Sequence, residues 1–264
     1  MTAADHLGLE AGEDGVAVIT LRRPERLNAL TWELMDDLHA ALAGVAADPA
    51  VRVVILSGAG RGFCAGLDIS TDDPLGAQDD IEAVYGRQEK VASLALALKA
   101  LPQPVIAAVN GPASGGGLAL ALAADVRVCS DAATFNVAFV RIGLSGGDVG
   151  VSWLLPRIVG LGVASELMLT GSVVGADRAL AVGLANRVVP GPELLAAAHQ
   201  LARDIARNAP FGVRMTKQVL HRNVDAGSLE AAIELENRTQ VLATRTPGAA
   251  EALAAFLERR PARF

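Results

Sequence analysis

Apolar residues in this 264-residue chain recur with two different periods. Short runs rich in β-branched residues, "VAVITL" (16–21), "VRVVILSG" (51–58), "PVIAAVNG" (104–111) and "DVRVCS" (125–130), end in turn-forming residues and predict strands. Between them the spacing becomes helical. "TWELMDDLHAALAGVAAD" sets Leu34, Leu38, Ala41, Leu42 and Val45 on one stripe behind a Thr31 N-cap, and 81–100 and 149–159 predict two further helices. Strands alternating with helices imply the α/β class. From about Pro192 the strands stop, and segments beginning "ELLAAAHQ", "PFGVRMTK", "SLEAAIEL" and "TPGAAEAL" predict consecutive amphipathic helices. The expected division is therefore an α/β part over 1–190 and a helical region over 191–264. Apolar stripes in the second part, including Leu194, Leu195, Leu201, Ile205, Val219, Leu229, Ile233 and Leu253, exceed what so small a unit buries alone, so it is expected to make subunit contacts.

Composition narrows the function. A formal charge of −6, a pI near 5.3 and only 3% aromatic residues argue against nucleic acid as a partner. Cys64 and Cys129 stand far apart with no Cys/His cluster, so neither a disulfide framework nor a metal site is expected, and a reducing cytoplasm fits. The start, "MTAADHLGLEAGEDG", lacks the basic and apolar regions of a signal peptide. The most apolar stretch, 94–128, is interrupted by Lys99, Pro102, Pro104, Pro112 and three glycines, so no membrane span is expected.

Those three glycines, Gly115 to Gly117 in "GPASGGGLALALAAD", follow a strand and open a helix. Free N–H groups and the positive end of a helix dipole face that point, which suits an anion, permanent or transient. Neither a P-loop nor a G-x-G-x-x-G fingerprint is present, which disfavours a nucleotide phosphate. An oxyanion hole is the other use of such a site, and tight packing of helix on strand is the purely structural alternative. A second glycine-bearing strand end, "SGAGRGFCAGLDIS" (57–70), can offer a further N–H to the same oxygen.

Taken in order, "RPERLNAL", "GFCAGLDI", "PQPVIAAVNGPASGGGLALALAADVRV", "RIGLSGGDVGVSWLLPRIVG" and "LMLTGSVVGADRALAVGLANRVVP" resemble the enoyl-CoA hydratase/isomerase family, the crotonase superfamily. The resemblance implies a spiral of β-β-α turns followed by a helical trimerisation region, assembly as a homotrimer or homohexamer, and a coenzyme A thioester as substrate with no separate cofactor. It implies that the thioester oxygen lies between the N–H groups of Leu67 and Gly116. For coenzyme A it points to Arg26, Leu27, Ala29 and Ala65, with Lys217 and Phe256 from the helical region over the nucleotide end. For Lys217 an ordinary surface cation is the alternative.

The departures bear on mechanism. Hydratases of the family carry two glutamates where this chain has Ala119 and Phe139, so hydration by a carboxylate pair is not expected in its usual form. Asp148, in "SGGD", is the candidate catalytic carboxylate, with a helix N-cap as its structural alternative, and Glu89 is the second candidate. The acidic run Asp68, Asp72, Asp73, Asp79 and Asp80 reads as a solvated loop, Cys64 as a small apolar residue, and Ser114 as a minor donor. Enoyl-CoA hydration or double-bond isomerisation leads. The alternatives are acyl-CoA hydrolysis, C–C cleavage or dehalogenation, or an acyl-CoA-binding protein without efficient chemistry.

Overall fold

A computed structural model describes residues 6–70 and 79–264. Nine strands are found among them: β1 (Leu7–Ala11), β2 (Val16–Leu21), β3 (Val53–Gly58), β4 (Val105–Val109), β5 (Pro112–Ser114), β6 (Val126–Ser130), β7 (Thr134–Asn136), β8 (Val174–Gly175) and β9 (Arg187–Val189). The helices are α1 (Trp32–Ala47), α2 (Ile81–Ala100), α3 (Gly116–Ala123), α4 (Val151–Val159), α5 (Leu161–Thr170), α6 (Ala176–Ala181), α7 (Leu194–Ala206), α8 (Pro210–Asn223), α9 (Leu229–Ala243) and α10 (Pro247–Leu257).

The main sheet runs β1-β2-β3-β4-β6-β9. Only the β1–β2 pair is antiparallel. Every residue of β4 is buried, as a parallel strand covered on both faces requires. One face meets Leu34, Leu38, Leu94, Leu98 and Leu118 from α1, α2 and α3. The other meets Leu194, Ala198 and Ala202 of α7, which packs on β2, β3, β4 and β6. α7 thus packs on the sheet although it lies within the helical region expected over 191–264. Its small alanine face lets it sit close on the strands, which the amphipathic pattern alone could not reveal.

Side-chain caps set four of the ten helix starts. The Thr31 hydroxyl accepts the Leu34 N–H at 3.2 Å, and the Asp80 carboxylate accepts that of Ala83 at 2.8 Å. Ser228 and Thr246 cap α9 and α10 in the same way. The helix expected from 149 instead begins at Val151, because Val149 and Gly150 have φ of +41° and +85°. The tail helices α8–α10 leave large apolar side chains in solvent: Leu229 is 76% and Phe256 80% exposed.

A second, short sheet, β5-β7-β8, leads into α3. Single bridges extend it on one side, pairing Cys64 with Ala113 and Leu30 with Leu67 in parallel. The join is close because of one glycine. A Cβ on Gly117 would lie 2.0 Å from the Cys64 carbonyl oxygen, so only glycine lets α3 start there. Gly117→Ala is expected to cost about 3 kcal/mol or more. Gly44→Ala, in α1 where an added Cβ meets nothing within 4 Å, should gain up to about 1 kcal/mol. Urea unfolding of the two variants beside the native protein checks the contrast.

Candidate active site

Three backbone segments lie side by side at the C-terminal ends of the parallel strands. Phe63 and Cys64 N–H both donate to the Pro112 carbonyl at 3.1 Å, and Ser114 N–H donates to that of Cys64 at 3.0 Å. On the other edge, Ala65 N–H donates to Leu27 O at 2.9 Å, Leu30 N–H to Gly66 O at 2.7 Å, and Asp68 N–H to Leu30 O at 3.0 Å. The order is thus 27–30, 64–68, 112–114.

This ladder skips Leu67. Its N–H has no acceptor among the described residues, and neither has that of Gly116, the first residue of α3. The two face one another closely: a Cβ on Gly116 would stand 3.9 Å from Leu67 N and 3.6 Å from Gly66 Cα. Gly66 takes φ +91°, and a Cβ there would come 3.1 Å from Gly116 N. The glycines of the triplet therefore do different jobs. Gly117 is required by packing and Gly115 by its φ of +51°. A Cβ on Gly116 would first meet one methyl of Leu30, at 3.3 Å. What this arrangement offers is two neighbouring, unpaired donors, one of them at a helix N-terminus, a setting that favours negative charge.

The carboxylate candidates separate. Asp148 is half-buried. It is not the N-cap of α4, a position Gly150 holds, which removes the structural alternative in that form. Its Oδ1 accepts Val149 N–H at 2.7 Å and also the amide of Gln88 on α2. Glu89 is exposed and makes no hydrogen bond or ion pair among the described residues; the α2 side chain that reaches Asp148 is its neighbour. Ala119 is buried in the apolar core, and the Phe139 ring lies 3.4 Å from where a Cβ on Gly115 would stand. Apolar contacts therefore occupy both places of the family's glutamates. The Ser114 hydroxyl donates to Asn136 Oδ1 at 2.5 Å and is already engaged.

The coenzyme A candidates divide as well. Arg26 is exposed and unpaired among the described residues, next to Leu27 at φ +49°. Ala29 is buried and its carbonyl accepts Arg23 Nη1 at 2.6 Å, while Ala65 is half-buried in the ladder. Lys217 is a correction. It is buried, 2.8 Å from Asp125 Oδ2 and 2.8 Å from the Gln103 carbonyl it donates to. It lines a cleft of about 560 Å³ with Pro104, Ile205 and His221. Pro104 and Asp125 immediately precede β4 and β6, so this cleft opens at the N-terminal ends of the strands, opposite the glycine motifs. Burial would push the Asp125 carboxyl up, but bonds from His221 and Lys217 hold it below its ordinary range. Burial lowers Lys217. Phe256 points into solvent on α10, which packs on α8, and does not cover the chain's own loops.

Sequence reasoning missed three polar residues that hold the site together. Asn28, fully buried, accepts Arg23 N–H at 2.9 Å and donates to Ala59 O at 3.0 Å and Gly62 O at 2.7 Å. Arg23 also pairs with Asp68 at 3.0 Å. Asp68 is therefore not a solvated charge; the Ser70 hydroxyl, and then Arg23, hold it below the usual carboxylate range despite burial. Asn28 itself takes a left-handed conformation, φ +57°, which asparagine tolerates better than most residues. Asp72 and Asp73 lie outside the described residues. Burial pushes both cysteine thiols up to about 12. Among the described residues no group of three or more His, Cys, Asp or Glu could hold a metal ion, and no helix is long and apolar enough to cross a membrane.

The parallel sheet, short second sheet and terminal helices are those of the crotonase fold. Enoyl-CoA hydratase from Bacillus anthracis superposes with a TM-score of 0.92 at 32% identity, covering 98% of each chain. The chain belongs to the enoyl-CoA hydratase/isomerase family, whose model matches residues 11–264. It is 43% identical over 249 residues to a probable enoyl-CoA hydratase, echA12, of Mycobacterium bovis, covering 93% of this chain and 87% of that one. It is 39% identical over 254 residues to the 1,2-epoxyphenylacetyl-CoA isomerase of Escherichia coli, covering 96% and 95%.

The Lys217 finding has a direct test. Lys217→Met takes the ammonium partner from the mostly buried Asp125 carboxylate, leaving it His221 and the Val105 N–H, and should cost about 3 kcal/mol in urea unfolding. Calorimetric affinity for free coenzyme A should stay within about twofold, since the ammonium has protein partners already. Weaker coenzyme A binding at unchanged stability would restore the ligand role.

Proposed function

We propose that this chain is an enoyl-CoA enzyme that stabilises a thioester enolate between the N–H groups of Leu67 and Gly116. The observation that carries this reading is the pair of unpaired donors held against each other by the 64–68 and 112–117 segments. Two fixed dipoles favour a charged enolate oxygen over the neutral thioester carbonyl, and so act on the transition state.

Double-bond isomerisation is the reaction best supported. Oδ2 of Asp148 takes a proton from the carbon between the thioester and the double bond of a 3-enoyl thioester, and the electron pair moves onto the thioester oxygen. The same carboxyl returns the proton at the far end of the dienolate, giving the 2-enoyl thioester with atoms and charge conserved. One carboxyl suffices, which agrees with Ala119 and Phe139 where a carboxylate pair would stand. Hydration is the second reading, favoured by the hydratases among the relatives. Coenzyme A enters as part of the substrate, with Arg26 as phosphate partner and Leu27, Ala29 and Ala65 beside the nucleotide. The reading calls for no other cofactor, and two buried free cysteines agree with a cytoplasmic location.

A homotrimer or hexamer is part of the same reading. Leu229, Val241, Leu242, Leu253, Phe256 and Leu257 are all at least 60% exposed, and another subunit would cover them. Phe256 would then serve a neighbour's nucleotide end. Light scattering should return three or six times the 27.1 kDa chain mass; a monomer would count against the assembly.

Incubation with 3-enoyl-CoA and 2-enoyl-CoA thioesters, followed by absorbance and product mass, tests the chemistry. Asp148→Asn should lose most of the activity with little change in melting temperature. Gly116→Val should fold and lose at least about tenfold in turnover, because the branched side chain crowds the Leu67 N–H. Full activity in the folded variants would overturn the assignment.

A further inference from the structure

Asp148 is held from two independent directions. Its own turn supplies one donor: Val149 N–H reaches Oδ1 at 2.7 Å, with Val149 at φ +41°. A β-branched residue avoids that region, so the turn is maintained by what surrounds it. Val149 is 6% exposed, and its packing in the core supplies that restraint. The second donor comes from a different element, the amide of Gln88 on α2, which packs on α3. Both donors meet the same oxygen. Oδ2 has no protein partner, and the carboxylate no cationic partner, among the described residues.

We infer that Gln88 is a positioning residue for the reaction: its amide fixes the rotation of the Asp148 carboxylate and reserves Oδ2 for the proton that moves. The inference rests on Asp148 being the base. Residue type fits the task. A glutamate at this place would repel the carboxylate and compete for its proton, and a lysine or arginine would make it a poorer base. A neutral amide donor orients without either effect. Glu89, one step along the helix and turned by about 100°, lies off this line.

The test compares Gln88→Met, of similar length with no donor, with Gln88→Lys, which keeps a donor and adds charge, using the 3-enoyl-CoA that the native protein turns over best. Gln88→Met should lower kcat about tenfold with KM within about twofold. It should also move the acidic limb of the kcat–pH profile upward, because a donor to the ionised carboxylate is gone; Gln88→Lys should move that limb downward. Gln88 is exposed, so melting temperatures should stay within about 2 °C. Limbs that stay put or move the same way overturn the inference, whatever the stability of either variant. Asp148→Asn is run beside them. If it is inactive while Gln88→Met keeps native kcat and profile, this inference fails alone; if it is fully active, the reading of Asp148 fails and takes this inference with it.

Discussion

The contact of the Gly117 backbone with the Cys64 carbonyl fixes where everything else around the site can be. With 2.0 Å between that oxygen and any added Cβ, the start of α3 cannot move away from the 64–68 loop or accept another residue. The hydrogen bonds from Phe63, Cys64 and Ser114 then fix the register of the two segments. Register decides which N–H groups stay unpaired. In 64–68 the ladder leaves out two N–H groups: that of Gly66 turns to the Cys64 thiol, and that of Leu67 stays without a partner near the first turn of a helix whose donors have no partners by construction.

The surroundings keep this point dry and fixed. All of α3 is buried, which a helix of glycine, alanine and leucine permits and a helix carrying charge would not. Buried Asn28 closes the 23–30 turn over the same loop, and the Arg23–Asp68 pair clamps its far end. The polar work is thus done by backbone and by a few saturated side chains, while Ala119 and Phe139 keep an apolar wall. With apolar residues at those two places, the proposed reading gives proton transfer to Asp148 alone, and that favours isomerisation.

Much of this was legible in the chain. The β-branched runs gave four strands of the main sheet, and capped amphipathic stretches gave α1 and α2, because these signals lie within one element. β1, β5, β7, β8 and β9 were not foreseen: they are two to five residues long and take their identity from the partner they pair with. The glycine motifs announced a backbone site, but not that Gly117 serves packing while Gly116 faces free donors. Lys217 read as a coenzyme A ligand or a surface cation, and Asp68 as a solvated charge, because their partners, Asp125 and Arg23, are remote in sequence. Glu89 drew attention as a carboxylate, whereas the α2 side chain that reaches Asp148 is the neighbouring amide of Gln88.

The central claim is that two backbone N–H groups polarise a thioester carbonyl. Infrared difference spectroscopy reads that bond directly, using 2-enoyl-CoA labelled with 13C at the carbonyl and bound to the protein. The account predicts a carbonyl stretch at lower frequency than in free solution, with the free-solution frequency recovered in Gly116→Val. A bound thioester whose carbonyl absorbs as it does in water would contradict it.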